Sequence, residues 1–188
     1  MKLPFRMDGE QVLIYGQEIR NRMQEEIEMY ARDNSMTMAV IQVGDNEASG
    51  VYIRSIRKFA AAAGIGVEIR SFSENVAEQH IIKHITDLNH EDEITGIMIQ
   101  MPLPKHLNAG CLINAMDYRK DVEGIHNYNL GKLIGGEQGV APSTPKAVMA
   151  LLRENKVPVT GRKVTIIGRS VIVGTPLTIL MSRENATV

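Results

Sequence analysis

Along the 188 residues, apolar positions switch repeatedly between a spacing of three or four and an alternation of two. From Tyr15 to Arg32, Ile19, Met23, Ile27 and Tyr30 recur at helical spacing, which predicts an amphipathic helix. The run TMAVIQV from Thr37 to Val43 is rich in strand formers and stops at Gly44-Asp45-Asn46, a strand followed by a turn. Residues 49–63 return to the helical period, and Gly64 and Gly66 close them. The same reading gives a strand over 67–72, a helix over 76–88, a buried strand over 94–101 stopped by Pro102-Leu103-Pro104, and a short helix over 109–116. Residues 117–143 are irregular and glycine-rich. Beyond them Thr144 and Pro145 read as the N-cap and first residue of a helix to about Asn155. A strand over 163–167, a turn over 168–174, a helix over 176–183 and the start of a strand at 186–188 complete the pattern.

Strand and helix in strict alternation predict an α/β fold with parallel sheets covered by helices. The irregular segment suggests a hinge, so the expected division is a domain over 1–143 and the beginning of a second over 144–188. Ligands of such sheets bind beyond the carboxyl ends of the strands. Three polar-rich points fall there: Gly44-Asp45-Asn46, Gln100 to Pro104, and Gly168 to Gly174.

Composition removes some functions and names none. An apolar content of 44% with 23% charged residues is that of a globular domain, and a net charge of -1 gives no electrostatic reason to bind nucleic acid or an anionic membrane. No apolar run reaches the ~18 residues of a membrane span, and MKLPFRMDGE lacks a leader's apolar core. The single cysteine, Cys111, forbids an internal disulfide, which suits a cytoplasmic location; its apolar neighbours suggest a packed side chain. His80 and His84 lie one helical turn apart without a carboxylate to complete a metal set, and read as a surface helix.

Four places offer chemistry, each with a plainer alternative. Gly168-Arg169-Ser170 through Gly174 follows an apolar strand and leads into a helix, so its amides suit a phosphate or ribose and Arg169 suits the extra phosphate of NADP. It equally fits a tight connection with a solvated arginine. Tyr52 could stack on a flat heterocycle, or be a half-buried helix residue; Ile56, four positions on, lies ~40° around the same face, and Lys58 ~240° around. Gln100 stands among apolar neighbours, so its amide is either paired structurally or aimed at a ligand. Asp121 could accept two hydrogen bonds from an amino-pyrimidine edge, or make an ordinary turn.

Taken together, several segments resemble the methylenetetrahydrofolate dehydrogenase/cyclohydrolase family. They are Val43-Gly44-Asp45-Asn46-x-Ala48-Ser49-x-x-Tyr52, Gly96 to Pro104, Lys120-Asp121-Val122-Glu123-Gly124 (with Glu for the family's second Asp), Pro142-Ser143-Thr144-Pro145, and Gly168 to Pro176. The resemblance implies a folate-binding domain followed by a Rossmann-like domain, with the active site in the cleft between, in a homodimer. It implies oxidation of 5,10-methylenetetrahydrofolate with NADP, or NAD, and hydrolysis of the methenyl product to 10-formyltetrahydrofolate. Tetrahydrofolate derivatives would be the ligands, with Tyr52 stacking, Gln100 tuning a catalytic lysine and Asp121 holding the pterin edge. Ile99 and Met101 would line the substrate, and Gly168, Arg169, Ser170 and Gly174 the cofactor. Two departures stand out. The lysine of the family's Tyr-x-x-x-Lys motif is Ile56 here, and Ile supplies neither charge nor proton transfer. The family's later glycine-rich segment is absent, which suggests a shortened chain and an incomplete second domain.

Overall fold

The computed structural model describes residues 15–188. Its elements are α1 (Gln17–Asp33), β1 (Thr37–Val43), α2 (Glu47–Ala62), β2 (Gly66–Phe72), α3 (Glu78–Asn89), β3 (Gly96–Ile99), α4 (Ala109–Ala115), α5 (Asn127–Gly135), α6 (Ser143–Glu154) and α7 (Gly174–Arg183). They fall into two compact units: residues 24–128, and residues 129–188 with 15–23 of the described chain.

In the first unit the strand order is β2-β1-β3, and both pairings are parallel. Parallel neighbours cannot be joined by a hairpin, so a helix must return the chain each time, as α2 and α3 do. β1 lies in the middle, and its side chains alternate between two apolar layers. Ala39, Ile41 and Val43 join Ile97 and Ile99 of β3 beneath Ile81, Ile85 and Leu88 of α3 and Leu112 of α4. Val40 and Met98 face the other way, against Ile53 of α2, with Met38, Ile56, Val67 and Ile69 around them. Ile81 and Ile85 are fully buried, each stabilising by about 1.5–3 kcal/mol. On its far side β3 meets the 120–121 segment, where Ile97 N–H bonds the Lys120 carbonyl at 2.7 Å.

The second unit is smaller and mostly helical. Gly16 approaches Leu151 of α6, and Arg22 pairs with Glu154 at 2.7 Å. α6 begins at Ser143 behind Pro142, two residues before the predicted start, so Pro145 is its third residue; the first turn has no intrahelical use for that missing N–H. The predicted strand over 163–167 is reduced to one bridge, Lys163 with Thr187, and Ile167 is wholly exposed. A strand exists only where a neighbour takes its hydrogen bonds; Val164 N–H bonds the Thr187 carbonyl and Thr187 N–H the Arg162 carbonyl, each at 2.8 Å, and residues 165–167 join no ladder among the described residues.

Other departures have local causes. Residues 127–135 form α5 despite Gly131 and Gly135, because Leu133 and Asn129 are buried and tertiary packing outweighs weak helix propensity. Cys111 is exposed rather than packed: α4 has seven residues and buries Leu112, with Met116 just beyond it, on a face that Cys111 does not share. In α1, Met23 and Tyr30 of the predicted apolar seam stay exposed, and Ile19 and Ile27 are half-buried. No helix among the described residues is long and apolar enough to cross a membrane.

His84 is not a plain surface residue, since its ring packs edge-on against Phe72 with centroids 5.3 Å apart. Burial, and then the Arg70 guanidinium, hold its pKa below the ordinary 6.5. The fold therefore favours neutral His84; this stabilisation is present above pH 6.5 and is lost as pH falls through the lower folded value. Urea denaturation at about pH 7.5 and about pH 5 should show a smaller loss of stability on acidification in His84→Gln than in the parent chain.

Candidate functional site

At the carboxyl end of the sheet, α2 and the end of β3 are tied to one backbone atom. Gly44 turns the chain out of β1 at φ 73°, a conformation open to glycine, and Asn46 caps α2 by accepting the Ser49 N–H at 3.1 Å. The buried Ser49 hydroxyl then donates to the Met101 carbonyl at 3.5 Å. From β3, Gln100 N–H continues the ladder to the Ile41 carbonyl at 2.9 Å, and Gln100 Nε2 donates to the same Met101 carbonyl at 2.5 Å. The Met101-Pro102 peptide bond that follows is cis.

Gln100 lies two residues after Met98 and so falls on the α2 side of the sheet, the side that holds Ile53 and Ile56. It is 7% exposed, and its Oε1 is buried with no hydrogen-bond partner. Turning the amide over would set Oε1 against the Met101 carbonyl, so the bond from Nε2 fixes which atom is left over. An unmatched buried acceptor costs about 1–3 kcal/mol. Ile56, at the motif's lysine position, packs into the apolar layer with Val40, Ile53 and Met98 and has no donor to offer. Tyr52, one turn before it, is 53% exposed and keeps a ring free for stacking, while Lys58 is out in solvent.

The two carboxyls of the 120–124 loop are not equivalent. Asp121 is 1% exposed; its Oδ1 accepts the N–H groups of Glu123 (3.1 Å) and Gly124 (2.9 Å), and its Oδ2 accepts that of His126 (2.9 Å). The pterin-edge role expected of Asp121 thus meets a side chain already occupied in holding its own loop, out of a ligand's reach. Glu123 is only partly buried. Burial, and then the negative charge of Asp121, push its pKa up to about 7. Glu123 and Ser49 both lie in segments shared with the family, and neither shows a task in the sequence alone. Glu123 was marked by its departure from the family residue, Ser49 only by its place in a shared segment.

The remaining expected residues divide. Ile99 is 1% exposed and packs in the α3 layer, so its side chain lines no open site; Met101 contributes the shared carbonyl and packs at the edge of that layer. In the second unit, Arg169 and Ser170 are exposed. The Ser170 hydroxyl accepts the Val173 N–H at 3.1 Å, and its carbonyl accepts the Thr175 N–H at 3.0 Å. A Cβ on buried Gly174 would overlap the Gly168 carbonyl and lie 2.8 Å from Arg169 N, so only glycine lets the turn close on the start of α7. A closed turn with an exposed guanidinium fits the phosphate-bearing part of a nucleotide, with Gly174 shaping the loop rather than touching the ligand.

The unequal carboxyls make a direct prediction. Asp121→Ala leaves three backbone donors unmatched and should cost about 3 kcal/mol in urea denaturation. Glu123→Gln keeps the size of a side chain that is only partly buried and should stay within about 1 kcal/mol of the parent.

Comparison with known proteins places these features in a family. Residues 7–123 match the model for the tetrahydrofolate dehydrogenase/cyclohydrolase catalytic domain, and residues 142–188 match that family's NAD(P)-binding domain. The chain is 53% identical over 177 residues to bifunctional protein FolD 2 of Syntrophomonas wolfei, covering 94% of this chain and 65% of that protein. It is 38% identical over 184 residues to a bifunctional FolD protein of Prochlorococcus marinus, covering 97% and 60%. The chain therefore spans less than two thirds of the length of these relatives. Among solved structures, the Campylobacter jejuni FolD methylenetetrahydrofolate dehydrogenase/cyclohydrolase superposes with TM-score 0.87 at 33% identity, covering 92% of this chain and 64% of that one. The Trypanosoma brucei enzyme, complexed with NADP and inhibitor, gives 0.89 at 29%, covering 95% and 63%. With a parallel sheet that delivers Tyr52, Gln100 and the 120–124 loop to one edge, and with most of its length matching the family's domain models, the chain belongs to the tetrahydrofolate dehydrogenase/cyclohydrolase family.

Proposed function

We propose that this chain binds tetrahydrofolate derivatives in its first unit and serves the NADP-dependent oxidation of 5,10-methylenetetrahydrofolate, with hydrolysis of the methenyl product strongly reduced. The observation that carries the reading is the buried, unmatched Oε1 of Gln100 on the sheet face where Ile56 stands in place of an ammonium. Tyr52 offers an exposed ring to stack on the pterin, and Glu123 offers the carboxylate that can accept from its amino-pyrimidine edge. Asp121 supports that carboxylate by fixing the loop.

When bound, the nicotinamide would supply the hydride acceptor, and Arg169 suits the 2′-phosphate that separates NADP from NAD. Hydride transfer asks no proton of position 56. Hydrolysis does, because a water must be deprotonated and a ring nitrogen protonated. Loss of a positioned acid or base typically lowers such a rate by ~10²–10⁴. A second reading, a folate-binding protein without turnover, is favoured by the same Ile56. The protein acts as a homodimer in the cytoplasm, as the resemblance implies.

Equilibrium titration of the chain with tetrahydrofolate should saturate, and Tyr52→Ala should weaken binding about tenfold or more. A folded sample that binds nothing would rule the reading out. Ile56→Lys should raise hydrolysis of methenyltetrahydrofolate by ~10²-fold or more. No gain, with tetrahydrofolate affinity intact, would favour the protein without turnover.

A further inference from the structure

On the α2 side of the sheet a polar atom lacks a partner, and no charged side chain lies in the layer around it. Gln100 is 7% exposed, and its Nε2 is committed to the Met101 carbonyl, which leaves Oε1 buried and unmatched. The apolar layer on that face consists of Val40, Ile53 and Met98, with Met38, Ile56, Val67 and Ile69 packed against them. Arg54, Arg57 and Lys58 of α2 are exposed, where water and salt screen them. Tyr52 lies one helical turn before Ile56, with its ring 53% exposed.

Each of these features favours positive charge in a ligand. A carbonyl oxygen without a donor presents the negative end of its dipole, and surroundings of low dielectric strengthen its pull. An aromatic face attracts a cation laid over it. A hydrocarbon at position 56 takes away the ammonium that would repel one. The folate forms named above differ in this respect. Tetrahydrofolate and its 5,10-methylene derivative are neutral at the two bridging nitrogens, whereas the methenyl bridge is a cation shared between them. Such a delocalised cation is weakly hydrated, as a guanidinium is, and loses little on leaving water. We propose that this site selects the cationic methenyl form of the folate and shelters it from water rather than hydrolysing it. The inference rests on the folate reading above and adds a preference among oxidation states, set by Gln100, Tyr52 and the hydrocarbon at position 56. Because Ile56 offers neither acid nor base to a water attacking the bridge, the bound cation persists.

The test compares dissociation constants for tetrahydrofolate and 5,10-methenyltetrahydrofolate at neutral pH, in the parent chain and in variants. Methenyl binding is read from that ligand's own near-ultraviolet absorbance within seconds of mixing, before spontaneous hydrolysis intervenes. The parent should prefer the methenyl form. Ile56→Arg restores a charge that cannot donate its proton at this pH, and should shift the ratio toward tetrahydrofolate by about tenfold or more. Ile56→Met, neutral and of similar size, should keep the parent ratio, and Gln100→Met, which removes Oε1, should lower it. Each result is a ratio within one variant, so a general loss of affinity or stability cancels. A second readout is the spontaneous hydrolysis of the methenyl form, which a saturating amount of the parent chain should slow. Equal affinities in the parent, an unchanged ratio in Ile56→Arg, or hydrolysis as fast with the chain as without it would each overturn the proposal and leave tetrahydrofolate binding intact. A folded parent chain that binds neither ligand would defeat the folate reading, and this proposal with it.

Discussion

The parallel pairing of β1 with both β2 and β3 is the constraint from which the site follows. Parallel strands all point the same way, so every strand end faces one edge, and the connecting helices must begin near that edge. β1 leads through Gly44 into the cap of α2, and β3 ends at Gln100, whose N–H is the last rung bonded to β1. The polar residues of three separate segments meet because the apolar layers on the two faces leave them nowhere else to go. Ala39, Ile41 and Val43 on one face, and Val40 on the other, hold β1 against translation, and a shift of one residue would exchange the two layers entirely.

Within that frame the electrostatics are lopsided. The family motif calls for an ammonium where this chain has Ile56, and Ile56 is well placed for what it is, packed against Ile53 and Met98. The carboxyls of the adjacent loop remain, Asp121 engaged by its own backbone and Glu123 only partly buried. The local balance of charge has therefore moved toward the negative without any rebuilding of the fold. Binding and hydride chemistry depend on shape and stacking and survive such a shift better than proton transfer does.

Much of the first unit could be read from the chain alone. The β-branched run at 37–43 and the apolar run before Pro102 specify strands by composition and by their stops, and the observed β1 has the predicted bounds. What could not be read depends on partners distant in sequence. The 127–135 helix is invisible to periodicity because two glycines dilute it and only tertiary burial of Leu133 and Asn129 forms it. The strand expected over 163–167 has the right residues and is paired at Lys163 alone. Asp121 and Glu123 look alike in sequence, two carboxylates two residues apart. Their difference comes from which backbone amides the fold brings within reach, and no local pattern encodes that.

The Met101 carbonyl, which receives both the Ser49 hydroxyl and the Gln100 amide, has a consequence for how such a protein can change over time. The orientation of Gln100 is set by that carbonyl and by the β1–β3 ladder, and by nothing at position 56. A lineage can therefore exchange the residue there, from ammonium to hydrocarbon or back, while its neighbour keeps its pose.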